Sequence, residues 1–381
     1  MEPNPPTTDA QRLTIFIVAA LRSPSMRERV RIPLQAGFRV VVYDAYGLRP
    51  GQSWPDGIEV INISRNIWIN KLLGPAVLWW NLTRIKPDLV HVHWAAQDFN
   101  NLILARQQPL VVTTMGSDVM PGDGPTGLRR ALVRRLLRAA DLITTKSDYM
   151  SRIVADRFLD KKTDHIKVIR WGVRDDFFHA TPSDLRERLG IPRQAMLFLS
   201  IRAMEWRYRQ EEILQGFIRY KQESGSDAHI VFTEFNQQPA YYTKVKALAD
   251  ATDFQPAIHF IPPVPSADMP GLFADGDTVI HYPISDGMPQ TLFESMAMGK
   301  FSILAKLPQY EGIARHRENA YLVNHEIDWP EAFAYAEEQG RTPIAWNIDF
   351  AERLLKKTRI DQDLITCYRS LSAMEPNPNE D

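Results

Sequence analysis

"DTVIHYPISDGMPQTLFESMAMGKFSILA" occupies residues 277–305. Both ends are apolar runs, "DTVIHYP" (277–283) and "FSILA" (301–305), and helix formers follow Pro289 between them. The pattern is strand, loop, helix, strand, the unit from which a parallel sheet is assembled. Pro289 suits a first helical turn, where its missing N–H is no loss. Ser285 or Asp286 can cap that turn, and Gly287 lets the backbone come close to a ligand. Asp286 opens the loop, and Glu294 lies about one turn into the helix. A helix start offers free N–H groups and roughly half a positive charge, a seat for a diphosphate or a hydroxyl-rich group.

The same alternation runs outward in both directions. Towards the C-terminal half, "AMLFLSIRA" (195–203), "AHIVFTE" (228–234) and "AIHFIP" (257–262) read as strands, with a helix over "QEEILQGFIRYKQE" (210–223). In the first half, "RLTIFIVAA" (12–20), "FRVVVYD" (38–44), "PDLVHVHW" (87–94), "PLVVTTM" (109–115) and "DLITTKS" (141–147) read as strands. Helical patterns cover 23–36, 68–85, 99–107 and 126–140. Near-continuous Val, Ile and Leu in strands separated by helices predicts parallel sheets covered on both faces. The alternation restarts after "VIRWGVRDDFF" (168–178), which places a linker near residues 172–190. Two doubly wound α/β domains in tandem are expected to face a cleft at their strand C-termini. The stretch 349–371 reads as one long helix able to pack outside the second sheet.

The 381 residues are 44% hydrophobic and 24% charged, an ordinary globular composition long enough for two domains. A single cysteine, Cys367, excludes a disulfide framework and fits a reducing compartment. The polar, Pro-rich residues 1–11 read as disordered rather than as a signal peptide, and 373–381 as a disordered tail. No apolar run reaches the roughly 18 residues a membrane span needs. The net charge of −1 hides an asymmetry: residues 1–190 hold 27 Lys and Arg against 19 Asp and Glu, and the remainder 18 against 27. A basic and an acidic half point to different partners for each. With near-neutral overall charge and no recognised motif, nucleic-acid binding is disfavoured.

Asp286-x7-Glu294 followed by "SMAMG" (295–299) resembles the donor-site motif of GT-B retaining glycosyltransferases, above all glycosyltransferase family 4, the group 1 enzymes. Five further stretches resemble the family in the same order. They are "KPDLVHVHW" (86–94), "PLVVTTMGSDV" (109–119), "RWGV" (170–173), "SIRAMEWRYRQEEILQGF" (200–217) and "YEGIARHRENAYLV" (310–323). The resemblance implies two Rossmann-like domains: an acceptor-binding domain over 12–178 and a nucleotide-sugar domain over 179–348. A C-terminal helical segment, 349–372, packs back toward the first domain.

It implies retaining transfer of a hexose-type sugar from a nucleotide-diphosphate sugar to a hydroxyl of a glycan or lipid-linked acceptor, with no cofactor and no metal. Leaving-group charge on the diphosphate must meet fixed donors. Arg202 and Arg207 are the candidates, with Arg209 as an alternative to Arg207. Glu294 is expected on the ribose and Asp286 on the sugar, with the backbone N–H groups of Gly287 and Met288 facing the sugar or its phosphate. Gly116 and Asp118 of "MGSD" (115–118) and His93 of "HVHW" (91–94) are expected on the donor or acceptor side.

Two departures stand out. Met115 replaces the histidine of the family's "HGSD" loop, and the loop "ALRSPSMRER" (20–29) contains no glycine. Arg22, Ser23 and Ser25 there point to an anionic acceptor. Trp68, Trp79, Trp80, Lys71 and Arg84 on one helix, and Arg129, Arg130, Arg134, Arg135 and Arg138 on another, fit peripheral contact with an anionic membrane face. A cytoplasmic enzyme of surface polysaccharide or glycolipid synthesis at the inner membrane face is therefore expected. A sugar-nucleotide epimerase or hydrolase of the same shape, and a catalytically silent scaffold, are the alternatives.

Overall fold

The computed structural model describes residues 12–48, 51–64, 66–122 and 124–373. Of the termini expected to be disordered, 1–11 and 373–381, all but Ala373 lie outside the described residues. The chain divides into two compact units, one formed by residues up to Arg170 together with those from Asp361 onward, the other by Trp171–Ile360. The division falls before the 178/179 boundary expected from the sequence and returns the last helix to the first unit.

The first unit holds a seven-stranded sheet: β1 (Thr14–Val18), β2 (Arg39–Tyr43), β3 (Glu59–Ile61), β4 (Leu89–His93), β5 (Leu110–Thr113), β6 (Leu142–Thr145) and β7 (Ile166–Val168), in the order 3-2-1-4-5-6-7. Every pairing is parallel. β1, β4 and β5 are buried throughout, as strands covered on both faces must be. β3 and β7 escaped sequence reading because three half-exposed residues leave no apolar run. The helices used below are α1 (Pro24–Gln35), α2 (Ile67–Ile85) and α3 (Gly127–Ala139). Asn66 caps α2 by accepting from the N–H of Trp68 at 2.9 Å. α2 turns Asn70, Gly74, Leu78 and Leu82 inward at four-residue spacing.

The second unit holds six parallel strands: β8 (Leu197–Ser200), β9 (His229–Thr233), β10 (Ile258–Ile261), β11 (Thr278–His281), β12 (Phe301–Ala305) and β13 (Ala320–Val323), in the order 10-9-8-11-12-13. Its helices used below are α4 (Gln210–Ser224), α5 (Gln290–Ala297), α6 (Trp329–Gln339) and α7 (Ala345–Leu354); α8 (Lys357–Ser372) starts in this unit and continues into the first. In each sheet the connectivity reverses beside the first strand, between β1 and β4 and between β8 and β11. At such switch points the loops leaving the strand C-termini part and leave room for a ligand.

The stretch 349–371 is not one helix. α7 and α8 are separated where Val173 donates its N–H to Leu355 O (2.7 Å) and accepts from the N–H of Lys357 (3.0 Å). This bridge takes over backbone groups that a continuous helix would have used itself. Gly172 is required beside it, since a Cβ there would fall 2.3 Å from Lys357 Cα. From Asp361 onward α8 belongs to the first unit rather than lying outside the second sheet.

One core layer of the second unit is built on aromatic edges. Phe198 meets Phe333 at 4.8 Å and 85°, and Tyr282 meets Trp329 at 4.8 Å and 71°. Such pairs contribute about 0.5–1.5 kcal/mol each beyond their buried area. Trp329 is fully buried and occupies the room left by Gly216, whose added Cβ would lie 2.4 Å from the indole Cγ. Gly216→Ala gains roughly 1 kcal/mol of helix propensity but forces a rigid indole to shift, at a cost of about 1–3 kcal/mol. We expect a net loss of up to about 2 kcal/mol, read as a lower urea midpoint at unchanged slope.

Candidate functional site

In the second unit the site begins at Arg202, just past β8. Its guanidinium donates to Asp286 at 3.1 Å and to Thr291 Oγ1 at 3.4 Å, and stacks 4.5 Å from the Tyr208 ring centre. Burial works against the charge, but Asp286, Tyr208 and Tyr310 outweigh it, and the pKa of Arg202 is raised. The other Asp286 oxygen accepts the N–H of Met288 at 3.0 Å, and the Asp286 carbonyl accepts Gln309 Nε2 at 2.7 Å. Each Asp286 carboxylate oxygen thus carries one internal hydrogen bond. It braces Arg202 and the loop.

The helix start also differs from expectation. Pro289 occupies the cap position with no side-chain cap, α5 begins at Gln290, and neither Ser285 nor Asp286 caps it. The unusual backbone falls not on Gly287 but on Met288, at φ 127°, a conformation that costs a non-glycine residue about 1–3 kcal/mol. The Met288 N–H donates to Asp286. Glu294 is half-buried in the middle of α5.

Arg207 is exposed, with its guanidinium 5.2 Å from the Trp206 ring, and its carbonyl accepts the N–H of Ile284 at 2.9 Å. That bond ties the loop after β8 to the loop after β11. Arg209 has a left-handed φ of 50° at the head of α4 and lies 5.0 Å over Tyr282. Gln210, fully buried, accepts from the Ser200 hydroxyl and donates to the carbonyls of Arg202 (3.2 Å) and Ala203 (3.4 Å). Sequence reading missed Thr291, Gln309 and Tyr310. The Tyr310 hydroxyl is buried and has no hydrogen-bond partner among the described residues. It stands in the "YEGI" stretch, within the core of the second unit.

In the first unit Asp118 is fully buried. It accepts the N–H groups of Ala95 (2.8 Å), Met115 (2.9 Å) and Gly116 (2.8 Å). Burial raises its pKa and these backbone bonds oppose the rise. Through these bonds Asp118 joins the loops after β4 and β5. Gly116, at φ 130°, permits the turn that brings those N–H groups together.

Around the switch point of this sheet lies a pocket of about 450 Å³. Ala20, Arg22, Ser23, Tyr46, His93 and Met115 are among its walls. Ser25, expected with them, is exposed and does not line it. His93 is 2% exposed, and neither ring nitrogen has a hydrogen-bond partner among the described residues. Burial, with the charges of Arg29 and Lys146, pushes its pKa down to about 3. The neighbouring His91 is satisfied instead, by Tyr368 OH at 2.6 Å and Thr113 Oγ1 at 2.7 Å. Trp94 (φ 71°) and Asp98 (φ 54°) are non-glycine left-handed residues in the loop after β4. Strain of this kind gathers at binding sites.

Two family models match the chain, one described as glycosyl transferase 4-like over residues 15–147, the other as glycosyl transferases group 1 over residues 183–341. The chain belongs to the group 1 glycosyltransferases. The first match contains His93, Gly116 and Asp118. The second contains Arg202, Asp286 and Glu294. No curated protein matches the chain.

Among solved structures, a glycosyltransferase from Rickettsia africae superposes at a TM-score of 0.78 with 16% identity, over 96% of this chain and 100% of that one. A sucrose-phosphate synthase from Thermosynechococcus elongatus gives 0.78 and 13%, over 95% and 100%. Anabaena HepE, solved in complex with UDP-glucose, gives 0.75 and 16%, over 94% and 100%. At these identities the likeness establishes the GT-B fold. No helix among the described residues is long and apolar enough to cross a membrane.

His93 generates a pH prediction. Its folded pKa of about 3 lies below the ordinary value near 6.5. The stability it contributes is complete above pH 6.5 and is lost as pH falls toward 3. Between pH 7 and 5 the unfolding free energy of the parent should therefore fall more than that of His93→Gln. The difference should reach up to about 1.4 kcal/mol per pH unit below 6.5. Parallel urea-stability curves would show that His93 is not held neutral.

Proposed function

We propose that this glycosyltransferase moves a hexose-type sugar, with retention, from a nucleotide-diphosphate sugar to a hydroxyl of a glycan or lipid-linked acceptor. The observation that carries the reading is Arg202, a guanidinium fixed by Asp286 beside the start of α5 at the switch point of the second sheet. A cation already oriented needs little reorganisation when charge develops on a leaving diphosphate. HepE, of the same fold, binds UDP, UDP-glucose and glucose in its solved complexes, which supports a nucleotide-sugar donor here.

Arg202 faces the diphosphate, and Arg207 or Arg209 supplies the second cation. Glu294 accepts from the ribose diol, and Asp286 positions Arg202. The pocket floored by His93 receives the acceptor. Work at an anionic membrane face, in surface polysaccharide or glycolipid assembly, belongs to the same reading. Trp79 and Trp80 support it, being more than half exposed at 54% and 61%.

The test is a thermal-shift and donor-turnover screen across UDP-, GDP- and ADP-sugars on the parent, Arg202→Ala and Glu294→Ala. One donor should raise the parent's Tm, and Glu294→Ala should lose most of that shift. Arg202→Ala should lower turnover by about 10²–10³-fold, roughly 3–4 kcal/mol of barrier. Equal stabilisation of parent and Glu294→Ala would remove Glu294 from the site. Donor turnover indifferent to any acceptor would favour a hydrolase or epimerase.

A further inference from the structure

A second cavity of about 610 Å³ lies between α2 and α3, within the size range of ligand pockets, roughly 300–1,000 Å³. Its walls include Trp68, Leu72, Pro75, Phe99 and Leu128. Three of these are largely bare to solvent: Leu72 is 80% exposed, Trp68 73% and Leu128 65%. An apolar patch of this kind on a helix that already buries its opposite face marks a site of interaction.

Lys71, Asp98 and Arg129 line both this groove and the pocket floored by His93. Asp98 pairs with Lys71 at 3.2 Å and with Arg129 at 2.8 Å. One carboxylate thus serves two cations, and Arg22 adds a third cation on the pocket side. The passage from apolar groove to polar pocket is therefore net positive.

We propose that the groove takes the hydrocarbon chain of a phosphate-bearing lipid acceptor. Its phosphate lies at Lys71 and Arg129, and its hydroxyl-bearing head reaches the His93 pocket. Charge complementarity at the junction and continuity with the acceptor pocket select this occupant. A flat membrane contact would use the exposed tryptophans without needing a groove that leads inward. A protein partner would leave the cations at the groove's inner end unexplained. The inference rests on the acceptor side of the proposed function and specifies its substrate class.

Calorimetric titration of the full chain with alkyl phosphates below their micellar concentration tests it independently of any donor. Each methylene entering the groove should tighten binding roughly fourfold. Dodecyl phosphate should therefore bind more than 100-fold tighter than butyl phosphate. It should also bind at least tenfold tighter than dodecyltrimethylammonium, which has the same tail and a cationic head.

Leu72→Glu and Leu128→Glu change exposed side chains, so their Tm should stay at the parent's. They should weaken dodecyl phosphate at least tenfold and leave the donor-induced Tm shift unchanged. Equal affinity at all chain lengths, or no preference for the phosphate head, would overturn the proposal. So would binding to anionic phospholipid vesicles without binding to monomeric dodecyl phosphate, or a dimer abolished by Leu72→Glu with no response to the lipid. If dodecyl phosphate binds as expected while no nucleotide sugar shifts Tm, the donor reading fails and the groove stands.

Discussion

The ion pair between Arg202 and Asp286 joins the two loops on which the second unit's site is built. Both side chains are largely buried, at 18% and 11% exposure. Pairs of this sort seldom add net stability, because two charges must leave water. What the pair secures is geometry. Asp286 also holds the Met288 N–H, and so helps impose a backbone conformation that methionine does not favour. Gln210 fixes the Arg202 carbonyl from below, and the bond between Ile284 and Arg207 closes the loops a second time. The cation is thus oriented by structure that exists before any ligand arrives.

The first unit reaches a comparable arrangement by other means. Its two loops are joined by Asp118, a buried acid that uses its oxygens on three backbone N–H groups. The result is a wall that includes one neutral, unpartnered imidazole and several cations. This agrees with the asymmetry of charge along the sequence, basic in the first half and acidic in the second. The same switch-point topology occurs in both units.

The central strands were legible because parallel strands covered on both faces leave long runs of Val, Ile and Leu. The edge strands β3 and β7 were not, being short and half-exposed. The break between α7 and α8 escaped because its cause, the pairing of Val173 with residues 355–357, is remote in sequence. The candidate site was legible to the level of residue types. Asp-x7-Glu located the loop, but spacing reports neither direction nor partners. It could not show that Asp286 turns to Arg202 or that Asp118 turns inward, since both depend on atoms contributed by other loops. Tyr310 and Thr291 gave no signal, because a buried hydroxyl and a core residue look alike in one sequence.

The last helix carries a consequence of its own. From Asp361 onward it belongs to the first unit, and Tyr368 supplies the hydroxyl that satisfies His91, next to the pocket histidine. Residues 1–170 are therefore not a self-sufficient piece of the molecule. A fragment ending there would leave Nδ1 of the buried His91 without its Tyr368 partner and a core surface uncovered. A ribosome finishing this chain supplies that missing wall only after the whole second unit has been made.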